Sequence, residues 1–340
     1  MLAACPKHME HGPCGGVALD GTCEVAPEPC VFLDRPTVRW DGAPATGDRR
    51  PPSSGTVAMR DLLATRQVVV ADLAARPLDA ASIEESVQVL RGHVDAVLTG
   101  DSPRSRVQFP PAYRAMLVQR AGMATWAGLT SRDRNRVALE AELAALAHVG
   151  VAGVHCVTGD HPSTGSRSDA TPVFDLDSTR VAALAAVEGH LVSVAEAPAS
   201  PPVERRAERL LEKQRAGAEI CFVNHAGGVG PVRRFIGEAQ DLGVTTGFIP
   251  CVPVVIDPQS AELLRSFTSL VLPPGFLDRI LGASDPAREG VAAAVELALG
   301  LLALDGVVGV DLSGGSGPGS EVRYCEAFAE IGRALAPALR

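Results

Sequence analysis

A (β/α)8 TIM-type barrel preceded by a small cysteine-rich module is the fold predicted for this chain of 340 residues. Two observations carry the barrel. From Val68 onward, eight short runs of β-branched and apolar residues alternate with longer amphipathic stretches rich in Ala, Leu and Glu, the order expected of parallel strands and covering helices. The runs are nearly continuous in apolar residues, as strands covered on both sides should be. A third observation sets the module apart. Four of the eight cysteines, Cys5, Cys14, Cys23 and Cys30, crowd the first thirty residues.

The module reads CPKHMEHGPCGGVALDGTCEVAPEPC, with Gly15-Gly16 and Asp20-Gly21 between the cysteines. That composition builds no hydrophobic core, so disulfides or a metal must hold it. The start MLAAC has neither a basic n-region nor a long apolar h-region. A cytoplasmic protein with reduced thiols is therefore expected. Four soft ligands suit tetrahedral zinc, with an iron–sulfur cluster as the rival and reduced structural cysteines as the third possibility. The spacing C-x8-C-x8-C-x6-C is looser than paired CxxC, and His8 or His11 could replace a cysteine.

The expected organisation is a module over 1–38, a linker over 39–66 and a barrel over 67–340. The linker assignment rests on the Pro/Gly/Ser-rich WDGAPATGDRRPPSSGT. The strands are placed at 68–72, 94–100, 124–130, 154–160, 190–196, 219–225, 245–251 and 307–313, with helices such as DRNRVALEAELAALAHVG between them. An open doubly wound sheet would alternate in the same way. The count of eight and the lack of a GxGxxG turn after the first strand favour the barrel. About 55 residues separate the last two runs, room for an extra helix pair near 259–266 and 286–303.

A net charge of −9 and an aromatic content of 4% argue against nucleic acid as a partner. No apolar stretch reaches membrane-spanning length.

A barrel carries its site at the C-terminal ends of its strands. Here those ends supply Asp72, Thr99-Gly100-Asp101, Thr130, Thr158-Gly159-Asp160, Glu196, Asn224-His225 and Asp311. Strand ends meet solvent and cap the following helices, so each alone is unremarkable; their convergence on one rim is not. Cys156, Cys221 and Cys251 read as small core hydrophobes. His148 and His155 read as packing or solvent-facing residues. Arg205, Arg206 and Arg209 read as a solvated helix face. The run SGGSGPGSE at 313–321 fits either a phosphate-wrapping loop or a mobile one.

Two stretches point to a family. LTSRDRNRVALEAELAALAHVGVAGVHCVTGDHP, residues 129–162, resembles the substrate barrel of methylenetetrahydrofolate reductases, in the branch with a DRNR turn and a GDHP strand end. CPKHMEHGPCGG, DGTCEV and CVF resemble the cysteine-rich module attached to many members of that family. RAGAEICFVNH and GFIPCVPVV resemble its sixth and seventh strands.

The resemblance implies an oxidoreductase of one-carbon metabolism that reduces methylenetetrahydrofolate to methyltetrahydrofolate with NADH or NADPH, through FAD or without it. Asp160 would then be an acid near flavin and pterin, and Asp72 the acid of the first strand. Thr130, Asp133, Arg134, Asn135, Thr158, Gly159 and His161 would hold the cofactor. Asn224 and Thr99 would hold the folate. Cys5, Cys14, Cys23 and Cys30 would hold zinc. Departures from the pattern are VVVADLAARP where members have FEFFPP, Gly128 where they have a histidine, Thr158 where some have an arginine, and His225-Ala226-Gly227-Gly228 where several have phenylalanines. A folate-binding methyl-transfer protein and a non-catalytic partner subunit docking through the module are the alternative readings. Homo-oligomerisation is a further expectation.

Overall fold

The computed structural model describes residues 5–42, 49–100 and 105–340. Asp101, part of one expected strand end, lies outside them.

The module folds around a short antiparallel hairpin, β1 (Thr22–Cys23) and β2 (Ala26–Pro29). Helix α1 (Ser54–Thr65) follows. The barrel then runs β3 (Val68–Asp72), α2 (Ala80–Leu90), β4 (Ala96–Thr99), α3 (Pro111–Arg120), β5 (Thr125–Thr130), α4 (Arg136–Val149), β6 (Gly153–Val157), α5 (Ser178–Val187) and β7 (Val192–Glu196). It continues with α6 (Arg206–Arg215), β8 (Ile220–Val223), α7 (Val229–Asp241), β9 (Gly247–Pro253), α8 (Pro258–Arg265), α9 (Phe276–Leu281), α10 (Pro286–Leu302), β10 (Gly309–Ser313) and α11 (Glu321–Leu335). The eight parallel strands close in the order β10-β3-β4-β5-β6-β7-β8-β9. Asp311 of β10 sits opposite Val70 on one side and Cys251 on the other.

Alternation along the strands makes two cores. In β3, Val69 and Ala71 join the layer between strands and helices, while Val68 and Val70 join an interior cluster with Leu98, Trp126, Phe222 and Ile249. The interior also carries polar groups. The Ser193 hydroxyl accepts the Trp126 indole N–H at 2.8 Å and lies 3.0 Å from His155 Nδ1. His155 is thus inside the barrel, and burial pushes its pKa down to about 3, leaving it neutral.

Local rules set the helices. Asn135 caps α4 by accepting the Ala138 N–H at 3.1 Å. Leu139, Leu143 and Leu146 then form its buried stripe, and Gly150, at φ +80°, ends it in the left-handed region. Each such leucine contributes about 2 kcal/mol of burial. The long gap before β10 holds α8 and α10 as expected, with the short α9 between them.

Two expectations change. Residues 54–65, assigned to the linker, are helix α1; Met59, Leu62 and Leu63 press on the interior cluster, and Arg60 forks onto Glu219 at 2.7 and 3.1 Å. The helix therefore stoppers the N-terminal mouth of the barrel. Arg206 and Arg209 are not a solvated face: they are 1% and 0% exposed. They face the docked module: Arg206 donates to the Cys14 carbonyl at 3.0 Å, and Arg209 pairs at 3.4 Å with Asp177, the cap of α5, which in turn accepts the module's His11 N–H at 3.4 Å.

Among the described residues no helix is long and apolar enough to cross a membrane.

Candidate functional site

A cavity of about 430 Å³ opens at the C-terminal rim, and Asp72 and Asp160 both line it. Arg76, Arg114, Phe109 and Leu263 complete much of its wall. So do Gly314, Gly315 and Ser316 of the glycine-rich run, which is therefore wall rather than a separate site.

Asp72 points inward because Val68 and Val70 do. Its carboxylate accepts the Gly314 N–H at 3.1 Å. Gly314 is required there: its φ is +144°, and a Cβ would fall 2.3 Å from the Tyr324 hydroxyl. Burial raises the Asp72 pKa to about 6, against the opposing pull of the Gly314 N–H and the Ser313 hydroxyl. On the neighbouring strand, Asp311 is buried and also faces inward. The Cys251 thiol donates to its Oδ2 at 3.5 Å, and Oδ1 has no hydrogen-bond partner among the described residues. Burial, reinforced by the charge of Asp72, holds the Asp311 pKa well above the ordinary carboxylate range. Cys251 is a strand residue beside this pair, whereas Cys156 and Cys221 are fully buried core residues.

Asp160 follows β6 after Gly159, whose φ is +87°. Arg106 reaches it at 3.3 Å, and its side chain remains 62% exposed. The adjoining residues meet the module. Thr158 Oγ1 accepts the Ser178 N–H at 3.1 Å and donates to Met9 Sδ at 3.5 Å. The His161 N–H goes to Glu24 at 2.9 Å, and its ring stacks on Phe174.

The other expected residues scatter. Thr130 is buried, with its hydroxyl against Arg134 at 3.2 Å, and Asp133 bridges Arg132 and Arg134. Asn135 is spent on capping α4, and the Asp175 carboxylate takes the Arg136 N–H at 2.7 Å, so two of the chain's own acceptors occupy the start of that helix. Thr99 is buried, its hydroxyl on the Trp126 carbonyl at 3.5 Å. Asn224 accepts the His225 N–H at 2.9 Å. The expected flavin groups are thus engaged within the chain, and the Thr158 side of the rim is covered by Met9. A flavin fits this arrangement poorly. A histidine is also impossible at Gly128 without backbone movement, because a Cβ there meets the Thr99 carbonyl at 2.9 Å.

Cys5, Cys14, Cys23 and Cys30 gather in the module. Burial raises the Cys5 thiol, and Cys14 and Cys23 add to the effect; burial pushes Cys30 up to about 11, with the other three cysteines adding. Among the described residues, no three His, Cys, Asp or Glu side chains have closed to metal-binding spacing.

Sequence reasoning missed Lys7, Met9, Glu24 and Arg106. No local signal marks them: Lys7 pairs with Glu24 across the module, and Met9, Glu24 and Arg106 meet partners far away in the chain.

Residues 98–310 match the family model described as methylenetetrahydrofolate reductase, and residues 1–37 match the model described as methylene-tetrahydrofolate reductase C terminal. No curated protein matches. Among solved structures, an uncharacterized protein from Clostridium thermocellum that binds two copies of 5-methyl-5,6,7,8-tetrahydrofolic acid is similar at 11% identity and a TM-score of 0.56, over 80% of this chain and 98% of that one. A 2,3-dimethylmalate lyase of the PEP mutase/isocitrate lyase superfamily is similar at 17% identity and a TM-score of 0.45, over 80% and 95%. At 11% identity the first of these likenesses is one of fold.

Proposed function

The chain belongs to the methylenetetrahydrofolate reductase family, and from that premise we propose that it reduces methylenetetrahydrofolate to methyltetrahydrofolate with a nicotinamide donor. The observation that carries the reading is the rim cavity into which both Asp72 and Asp160 face.

In this reading Asp72 is the general acid. Its pKa of about 6 keeps part of it protonated near neutrality, while a carboxylic acid of ordinary pKa would be spent. It gives its proton to the folate nitrogen that leaves the methylene carbon as the five-membered ring opens. The resulting iminium carbon takes a hydride from the nicotinamide, which departs oxidised. The Asp160 carboxylate, held by Arg106, faces the cation and lowers its energy. The partly apolar wall, with Phe109 and Leu263, excludes water from the reactive carbon.

No step is routed through flavin, because the polar groups expected to hold it are already engaged. The four module cysteines are proposed to hold one zinc, which would fasten the module rather than take part in chemistry.

A second reading, a folate-binding protein without hydride transfer, draws on the same filled flavin contacts. The Clostridium thermocellum protein is an instance of folate bound on this fold.

Two measurements decide. Calorimetry with 5-methyltetrahydrofolate should show saturable binding that Asn224→Ala weakens. Oxidation of NADH or NADPH should depend on methylenetetrahydrofolate and proceed without added flavin. Binding without turnover under either donor selects the second reading; absence of binding at millimolar folate removes both.

A further inference from the structure

The N-terminal module reaches into the C-terminal end of β6. Besides Met9 on Thr158, Glu24 Oε1 receives the His161 N–H at 2.9 Å. The same oxygen lies 2.5 Å from the Lys7 ammonium, and both side chains are buried. Asp160 stands between Thr158 and His161, close enough for its charge to act on Lys7. Arg106 holds it at 3.3 Å. Asp160 therefore has one cation in direct contact, Arg106, and a second positive charge, Lys7, farther off.

The module is fastened for this purpose by its backbone. Arg206 binds the Cys14 carbonyl at 3.0 Å, Ser269 the Gly15 carbonyl at 2.6 Å and Ser200 the Val17 carbonyl at 2.9 Å. These three contacts come from barrel segments outside β6. They give Lys7 and Glu24 a fixed base from which to act on the β6 end.

We propose that the Lys7–Glu24 pair is a positioning device for the rim site: Glu24 clamps the backbone beside Asp160, and Lys7 supplies the second cation that sets the Asp160 carboxylate. Gly159 offers no side chain to restrain this strand end, so the restraint has to come from another segment. Docking alone does not call for an ionic pair here. A buried salt bridge contributes little net stability compared with a well-packed apolar pair. An ionic pair that ends on the backbone next to a functional carboxylate gives orientation, which apolar packing does not.

The test uses the full-length protein with Lys7→Met, Lys7→Arg and Glu24→Met. Hydrogen exchange reads the clamp without any ligand. Lys7→Met and Glu24→Met should speed exchange at residues 159–164 by about tenfold or more, with the barrel strands unchanged and Lys7→Arg close to wild type. The second readout rests on the folate reading. Lys7→Met should weaken 5-methyltetrahydrofolate binding by about tenfold, and adding it to Asp160→Asn should cost nothing further, because both act through one carboxylate. Unchanged exchange at 159–164 in both Lys7→Met and Glu24→Met overturns the proposal. So does equal loosening of residues 5–38 by Lys7→Arg and Lys7→Met, which would assign the pair to docking alone. If wild type binds no folate, the folate reading fails, while the exchange result still decides the clamp.

Discussion

Asp72 and Asp311 stand on adjacent strands of the closed barrel, both facing its interior, with Asp72 one pleat nearer the rim. Two buried carboxyls so placed do not ionise independently, and the one nearer solvent loses its proton first.

The pair makes stability depend on pH with a definite sign. The Asp72 pKa is about 6 in the folded state, against about 3.9 when unfolded. The native state therefore binds more protons between these values, and stability falls as pH rises from about 4 to 6. The loss is about 2 kcal/mol in order of magnitude. Asp72→Asn, which still accepts the Gly314 N–H, should be more stable than wild type at pH 7, with a flatter profile between pH 4 and 6. Denaturant melts across that range check it; parallel profiles for the two proteins would contradict the raised pKa.

The same value sets the activity profile. If protonated Asp72 is the acid, kcat/KM should fall about tenfold per pH unit above 6, and Asp72→Asn should abolish turnover while leaving folate binding in place. Steady-state kinetics across pH 5 to 8 provide the check. A rate that stays flat through pH 6 in wild type would take the acid role away from Asp72.

Asp160→Asn should separate chemistry from folding. The side chain is largely exposed and its bridge to Arg106 is a rim contact, so stability should change by less than about 1 kcal/mol. The charge facing the folate cation is lost, and the chemical step should slow by about tenfold or more. Single-turnover rates beside thermal melts test both halves. A variant as fast as wild type would remove Asp160 from the reaction.

The barrel was legible because its signal is periodic. Every one of the eight apolar runs, from VVVAD to VVGVDLS, overlaps a strand of the closed sheet, though β6 starts one residue before its run and β9 ends two residues beyond its own. Asp72 and Asp160 were legible as strand ends, and the cavity brings them together. The rest of the expected cofactor set turns on direction rather than position. Thr99 is one residue from a rim-facing register but points into the outer core, and Asn135 carries out the capping role its type favours. Arg206 and Arg209 look like a charged helix face because composition gives no sign that the module will cover them. Lys7 and Glu24 escape for the same reason: their partners at 160 and 161 are more than a hundred residues away.

Arg209 should prove a strong determinant of module docking. It and Asp177 are both fully buried. Burial raises the Asp177 pKa, but Arg209 and then His11 outweigh it, leaving the carboxyl below its usual range. Stability from this group is present above about pH 4 and is lost as pH falls through the lowered value. Arg209→Met strands a buried carboxylate and should cost about 3–5 kcal/mol, with Asp177→Asn added to it recovering part of the loss. Limited proteolysis after the module would report undocking. Equal melting of wild type and Arg209→Met would show that the pair contributes nothing.

The module's cysteines should take up one metal ion. Four thiols share a segment whose only large buried apolar side chains, among the described residues, are Met9, Val17 and Phe32, too few to fix its shape unaided. Their mutual influence on ionisation places them near one another, and Lys7 and Arg206 also feel charge at Cys14. A divalent cation would replace mutual repulsion with four bonds to one centre. Protein purified without added metal should contain about one equivalent of zinc, and its ultraviolet–visible spectrum should lack the broad bands of an iron–sulfur cluster. Cys14→Ser should lose the metal and loosen residues 5–38, because it removes one of the four proposed ligands. The barrel should stay folded, since α1 and the interior cluster around Trp126 close it without help from the module. If all four thiols react freely with a thiol reagent and elemental analysis finds no metal, the cysteines are reduced structural residues. The docking of the module then rests on its carbonyls and on the His11 N–H that the Arg209-paired Asp177 accepts.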